Sequence, residues 1–494
     1  MSRRKQAARS TNPRRAGKTR PQSKTLLREL IEWFAPPGEL FSKRDFHGNT
    51  KWDGGELAAQ ALLWSWQETK HVTDAFDHAQ EVCDELGLKR AARSYTSMMN
   101  ALDRYHELFA DRLRARFQAA AQEIAGAAWA LDGWVPIGFD GSRTTAPRTV
   151  SNEQAFCAPR YGQGTRAKYG KKKSQGLRRQ RNEQHPPHPP HPPHPPAPQA
   201  WVTMLWHMRL RLPWTWRLGP SNASERDHVK DLLRSETFPK NTLFCGDAGF
   251  VGYPLWSLIL ERGQHFLVWV GGNVKLLSQH ADVKKLGGGI VLCWPKGQQD
   301  SGLPPLRLRL VRVKVGGTKM WLLTSVLDQQ QLSKKQIVRF YKMRWGIEVE
   351  FRGLKQTIDK HLLRCRNADR LLVELDWSLR GMAVAELLAL REQKAAAQQH
   401  AAAPYDPQDR SLANTLRALR KCMRNLHKTV TGDDDGVKHE LSRAKVQRYH
   451  NRTDKRARYR PKNPDKKSLG EPTVHKITAA QRKKLTRHHA LSAA

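Results

Sequence analysis

The chain has 494 residues, and 86 lysines and arginines against 46 aspartates and glutamates leave a formal charge of +40. Self-repulsion on that scale opposes a compact state unless a polyanion offsets it, so nucleic acid is the leading partner and a membrane surface the weaker one. No apolar run approaches the length of a spanning helix, and the basic N-terminus is not followed by the apolar core of a signal peptide, so a cytoplasmic protein is expected. Cys83, Cys157, Cys245, Cys293, Cys365 and Cys422 are scattered without a CxxC pair, which indicates neither a zinc site nor a disulfide frame.

Residues 1–24 carry Arg3, Arg4, Lys5, Arg14, Arg15, Lys18 and Arg20 and read as a basic disordered arm, either a contact to a nucleic-acid backbone or a solubilising tail. From residue 25 to 130 the apolar spacing is helical. Leu26, Leu27, Leu30, Ile31 and Phe34 repeat at helix spacing and stop at Pro36-Pro37, and further helices are expected at Glu56–Trp66, Val72–Leu86, Ser94–Tyr105 and Ala110–Ile124. This stretch is either an ordinary helical bundle or a DNA-binding domain with Tyr95 to Arg104 as a recognition helix.

Val135-Pro136-Ile137-Gly138-Phe139 is a short apolar strand that delivers Asp140; an acid there either caps a turn or awaits a cation. The basic run Arg160 to Arg181 and the repeats of His-Pro-Pro beginning at His185 make residues 158–200 a polyproline-type insertion, read as a spacer. A hairpin follows from Trp201 to Leu218 with its turn near Leu212-Pro213, then a helix from Glu225 capped by Ser221 or Ser224. Thr242 to Gly246 is a second apolar strand ending in an acid, Asp247. Strands at His265–Val270, Ile290–Trp294, Leu306–Val315 and Met320–Leu327 are separated by glycine-rich turns.

The segment from Tyr341 to Lys355 reads as one helix. At about 100° per residue Tyr341, Arg344, Glu348 and Lys355 fall within an arc of roughly 60°, beside an apolar face of Phe340, Ile347, Phe351, Leu354, Ile358 and Leu362, while Glu350 points away from both. Such a stripe suits a phosphodiester backbone, although a solvated face would look the same in isolation. Beyond it Leu371–Leu390 is helical, Ala395–Ala403 reads as a linker, Ser411–Leu426 as a basic helix, and Lys438 onward as a basic backbone-binding extension.

Asp140, Asp247 and Glu348 are three acids, each about a hundred residues from the next. Two hard cations between them would offset the cost of burying the carboxylates and suit in-line attack on a phosphodiester. The spacing Tyr341-x2-Arg344-x3-Glu348-x6-Lys355, with Phe139-Asp140-Gly141-Ser142 and Gly246-Asp247-Ala248-Gly249-Phe250 upstream, resembles insertion-sequence DDE transposases of the insertion-sequence-four type. The resemblance covers roughly residues 130–390.

That resemblance implies an α/β chain with an RNase H-like catalytic domain at 131–390, a mixed sheet flanked by helices with a β-rich insertion at 271–319 before the catalytic glutamate. The helical domain 25–130 precedes it, and a linker, basic helix and basic tail at 391–494 follow. It implies cut-and-paste transposition by metal-dependent hydrolysis at the transposon ends and 3′-hydroxyl strand transfer, using two Mg2+ ions, for which Mn2+ can substitute. Asp140, Asp247 and Glu348 would be catalytic and metal-binding. Tyr341, Arg344 and Lys355 would hold end phosphates, with Arg344 also orienting Glu348. The implied partners are double-stranded DNA, as terminal inverted repeats and target, and a second copy of the chain in a synaptic homodimer at the bacterial nucleoid. The alternatives are a nuclease that cuts without joining and an inactive or domesticated DNA-binding protein.

Overall fold

The structure, a computed structural model, describes residues 23–157, 197–279, 282–294, 303–399, 405–426, 436–446 and 469–492. The expected basic arm up to residue 22 and most of the His-Pro-Pro insertion, 158–196, lie outside them.

Local capping signals open several of the helices. After α1 (Ser23–Phe34), α2 (Gly54–Trp66) starts on a capping box in which the Asp53 side chain accepts from Gly55 and Glu56 N–H while Glu56 accepts from the Asp53 N–H. Then come α3 (Val72–Leu86), α4 (Tyr95–Arg104) and α5 (His106–Ala125). The inner face of α4 is buried through Met98, Met99 and Leu102.

Strand β1 (Val135–Thr145) and α6 (Val150–Phe156) lead to a hairpin of β2 (Gln199–His207) and β3 (Leu212–Gly219). The hairpin turn occupies Met208 to Arg211, immediately before the expected Leu212-Pro213. Pro213 instead lies within β3, opposite Trp206 at a register shift. It is tolerated because β3 is an edge strand whose outer side needs no ladder donor. Helix α7 (Glu225–Ser235), capped by Ser224, β4 (Thr242–Gly246), α8 (Tyr253–Glu261) and β5 (His265–Val270) follow, then β6 (Lys275–Ser278), β7 (Gly288–Cys293), β8 (Leu306–Val315) and β9 (Thr318–Thr324).

Helices α9 (Lys334–Met343) and α10 (Gly346–Arg352), a π turn at Gly353–Thr357, and the 32-residue α11 (Ala368–Gln399) come next. The C-terminal elements are α12 (Leu412–Arg424), α13 (Gly436–Ser442), β10 (Thr473–Lys476) and α14 (Ala479–Ser492).

The strands form one mixed sheet in the order β10-β6-β7-β8-β9-β5-β4-β1-β2-β3. Parallel pairs β1/β4 and β4/β5 occupy its middle and antiparallel pairs flank them. All five β4 residues are buried, with Leu243 and Cys245 facing one core and Phe244 the other, as expected of a central parallel strand covered on both sides. One core packs Val229, Leu232 and Leu233 of α7 and Leu255, Trp256 and Ile259 of α8 on the sheet. The opposite core joins α1 to α5, α9, α10 and α11 to α13. The strands β6 to β9, where a β-rich insertion was expected, continue the same sheet beyond β5.

Two sequence expectations are corrected here. Residues 447–468 of the expected basic tail lie outside the described residues, but the described parts of 391–494 are not simply a linker, basic helix and tail. Helix α11 runs through the Ala395 segment to Gln399, and Leu416, Leu419, Val437 and Leu441 of α12 and α13 are buried. Strand β10 pairs parallel with β6 and covers that edge of the sheet. Positive charge on this sequence masked apolar spacing at Leu416/Leu419 and Val437/Leu441. The second correction concerns Tyr341 to Lys355, which is two helices and a π turn. Trp345 and Ile347 N–H groups bond to the carbonyls of Lys342 and Arg344, three residues back, so the ladder tightens at Arg344-Trp345 and then widens at Gly353.

Candidate active site

Strand register brings the first two acids together. The β1/β4 pairing matches Ile137 to Phe244 and Gly138 to Cys245; two residues further on, Asp140 stands beside Asp247. Asp247 ends its strand as expected. Asp140 does not, because β1 continues to Thr145 paired with β2, so Asp140 is a mid-strand residue at the point where β4 stops.

Each aspartate is braced by backbone. Asp140 Oδ1 accepts from the Gly141 N–H at 2.9 Å and Asp247 Oδ1 from the Gly249 N–H at 2.7 Å. Burial, partly opposed by that Gly141 N–H and by Arg344 and reinforced by Asp247 and Glu348, pushes the Asp140 carboxyl up to about 6.

The third acid arrives on α10. Gly346 starts that helix directly against β2, where a Cβ would overlap the buried Trp206 ring, so only a glycine allows this close approach. Glu348, two residues later, shares a cleft of about 280 Å3 with Asp140, Ser142 and Lys355. After the π turn the chain returns to β1: the Thr145 N–H donates to His361 O at 3.1 Å and the Leu363 N–H to Thr145 O at 2.8 Å. The segment that carries Glu348 is thereby seated on β2 at its start and tied at its end to β1, the strand that carries Asp140.

The four-residue signature divides by exposure. Tyr341 and Arg344, expected with Lys355 to hold end phosphates, are 7% and 8% exposed. Arg344 lies over the Tyr341 ring at 5.5 Å and its Nη2 stands 3.6 Å from Glu348 Oε1. Burial pushes the Tyr341 hydroxyl up to about 12. The pair forms a floor beneath Glu348. Lys355 remains half-buried in the cleft, its pKa lowered by burial, and Trp345 at the helix break is 58% exposed. Glu350, set aside on helix phase, is 2% exposed and away from the cleft; burial and the adjacent Glu386 raise its carboxyl well above the ordinary range.

One acid escaped the sequence reading. Glu225 opens α7, where it looked like an ordinary acidic first-turn residue, yet the fold turns it toward Asp140 and Asp247. Its carboxyl is pushed up to about 7, by burial first and then by those two aspartates, with Arg143 and Arg226 opposing. Helix periodicity could not have found it, because its neighbours come from β1 and from the turn after β4.

The donor set is all carboxylate oxygen, the chemistry of a hard divalent cation. Among the described residues no three histidines, cysteines or acids stand close enough to hold an ion. No helix among the described residues is long and apolar enough to cross a membrane.

Residues 202–382 match the family model of the transposase DDE domain. That span contains Asp247, Glu348, Tyr341, Arg344 and Lys355, and Asp140 precedes it. A curated relative, the transposase InsG for insertion sequence element IS4 of Escherichia coli (strain K12), is 29% identical over 165 residues. The match covers 32% of this chain and 36% of the relative, so the chain spans about a third of that protein's length. Among solved structures, the cryo-EM piggyBac transposase synaptic complex with hairpin DNA aligns over 86% of this chain and 85% of its own, at 13% identity and a TM-score of 0.37.

Proposed function

Because the chain resembles DDE transposases of the insertion-sequence-four type in its motif, its family match and its curated relative, we propose that it is a cut-and-paste transposase. It hydrolyses DNA at the ends of an insertion sequence and joins the freed 3′-hydroxyl to target DNA. The observation that carries this reading is the register-matched pair Asp140 and Asp247 with Glu348 brought onto the same end of the sheet. The strand order β3-β2-β1-β4-β5, antiparallel then parallel, supports an RNase H-like domain.

Asp140, Asp247 and Glu348 would hold Mg2+ or Mn2+. A bound divalent cation would supply a water or 3′-hydroxyl of lowered pKa and positive charge at the leaving oxygen. The chain's own groups position the reaction. Arg344 orients Glu348 through its ion pair, with Tyr341 packed under the guanidinium. Lys355 offers its ammonium to the scissile-strand phosphates, and the exposed Trp345 indole gives an adjacent base a surface to stack on. The charge of +40 supplies salt-dependent affinity for the rest of the duplex. The helices of residues 25–130 contribute DNA contacts, two copies hold the two transposon ends, and the protein works in the cytoplasm at the nucleoid.

The test is full-length protein with Mg2+ and a DNA bearing the element's terminal inverted repeats. Wild type nicks and joins. Glu348→Gln is expected to lose both steps while still retarding the DNA on a gel. Full activity in that variant sinks the assignment, and cleavage by wild type without a joined product converts the reading to a nuclease.

A further inference from the structure

The two glycines that brace the aspartates leave one space between them, and Glu225 fills it. A Cβ at Gly141 would lie 2.5 Å from Glu225 Oε1, and a Cβ at Gly249 would lie 3.9 Å from Glu225 Oε2 and 3.0 Å from Asp247 Oδ1. The Glu225 carboxylate therefore spans the gap between the β1 residue after Asp140 and the turn that holds Asp247. Neither glycine position requires a left-handed backbone, since both have ordinary φ; what the missing side chains provide is room. Glu225 is not salt-bridged to the nearest basic side chains among the described ion pairs, in contrast to Asp227 and Asp231 on the same helix, which pair with Lys230 and Arg234. A carboxylate of the first turn serving only α7 would face solvent beside those two.

We propose that Glu225 is a fourth carboxylate of the site, facing the divalent cation held by Asp140 and Asp247; this rests on the metal-dependent reading above. Its upward-shifted carboxyl, caused by burial and by both aspartates, agrees with that placement. The geometry gives Glu225 two measurable signatures. Without metal it repels Asp140 and Asp247, so Glu225→Gln should raise the unfolding temperature of the metal-free protein. With metal it contributes an oxygen donor, so the same substitution should weaken Mn2+ binding by about tenfold or more. A residue that merely serves the N-terminus of α7 would do the opposite to the unfolding temperature, because its loss removes a favourable dipole contact.

The experiment titrates full-length protein with Mn2+ in the absence of DNA, following free Mn2+ by electron paramagnetic resonance, and records thermal unfolding with and without the ion. The variants are Glu225→Gln, Gly141→Ala, Asp140→Asn and Glu348→Gln. Gly141→Ala keeps the carboxylate but displaces it, since the new methyl meets the far end of a flexible side chain, and it should weaken Mn2+ binding in the same direction. Wild-type Mn2+ affinity in Glu225→Gln, alongside weakened Asp140→Asn and Glu348→Gln, overturns the proposal and leaves the transposase reading standing. A lowered metal-free unfolding temperature in Glu225→Gln overturns it as well. If all four variants bind Mn2+ as wild type does, the metal-site reading itself falls.

Discussion

Glu374 holds the reactive segment in place from a distance. This α11 residue is fully buried, and its carboxylate accepts from Lys360 Nζ at 2.7 Å and from the Arg364 and Cys365 N–H groups at 2.9 Å each. Burial alone would raise its pKa; the ammonium and the two N–H donors outweigh that and hold it below the ordinary value. The three donors belong to the stretch that returns from the π turn to pair with β1. Glu374→Ala is therefore expected to cost about 3–5 kcal/mol, the range for breaking a buried pair, and to reduce cleavage more than DNA binding. Chemical denaturation and a gel-shift assay measure the two effects, and an unchanged denaturation midpoint would refute the anchoring role. At this scale the sequence was informative about chemistry and silent about neighbours. Asp140 and Asp247 stood out because an acid after an apolar run is conspicuous, and Glu348 because it shares a helix stripe with Tyr341, Arg344 and Lys355. Glu225 did not, because first-turn acids are common on helices and only the fold carries it across to β1. The helix wheel grouped Tyr341 and Arg344 correctly but could not say that the core would close over them.

Among the elements, the β2–β3 hairpin shows how a buried titratable group fixes a turn. His207 ends β2 with no exposure, its Nδ1 accepts from the Leu210 N–H at 3.2 Å, and its ring packs against Trp129 and Trp214 with centroids 4.7 and 6.0 Å away. Burial pushes its pKa down to about 3. The unfolded chain thus takes up this proton near the ordinary value of 6.5 while the folded chain resists it to about 3, so the stability held above 6.5 is lost as pH falls through that window. His207→Asn keeps an acceptor for Leu210 without a titrating ring. Urea midpoints between about pH 4 and pH 8 should fall more steeply on the acid side in wild type than in His207→Asn, at a neutral-pH cost of about 1–3 kcal/mol for the lost packing; parallel acid limbs would refute this. The hairpin itself was legible from the strand character of Trp201 to Leu218, but its turn was misplaced because Pro213 marks turns more often than edge strands. The break at Arg344-Trp345 was illegible for a different reason. Apolar positions on both sides keep helical spacing, and it is the Trp206 ring from a distant strand that demands Gly346 at the contact.

The molecule as a whole is organised by α11 more than by the site helix, and this decides which part of the basic C-terminal region is structural. Residues 371–390 of α11 are almost wholly buried, between the N-terminal helices on one side and α12 and α13 on the other. Arg410, 1% exposed, donates through Nη2 to the carbonyls of Leu210 and Arg211 at the hairpin turn, so the region beyond α11 also ties back to the sheet. Leu416, Leu419, Leu426, Val437 and Leu441 are all buried. At about 1.5–3 kcal/mol for each buried aliphatic side chain, these five rival the net stability of roughly 5–15 kcal/mol available to a typical domain. A charge run dominated the reading of residues 405–446, although Leu416/Leu419 and Val437/Leu441 were already spaced as helix faces. A chain ending at residue 404 is accordingly expected to lose its cooperative thermal transition and to become insoluble. A chain ending at residue 446 keeps those helices and lacks only β10 among the strands; it should still melt cooperatively, while the uncovered edge of β6 increases its self-association. Circular dichroism melts and light scattering on the two truncations separate these outcomes. Cooperative melting of the shorter chain at the full-length temperature would return residues 405–446 to the status of a dispensable basic extension, whereas its loss makes them part of the scaffold that holds Asp140, Asp247 and Glu348 in register.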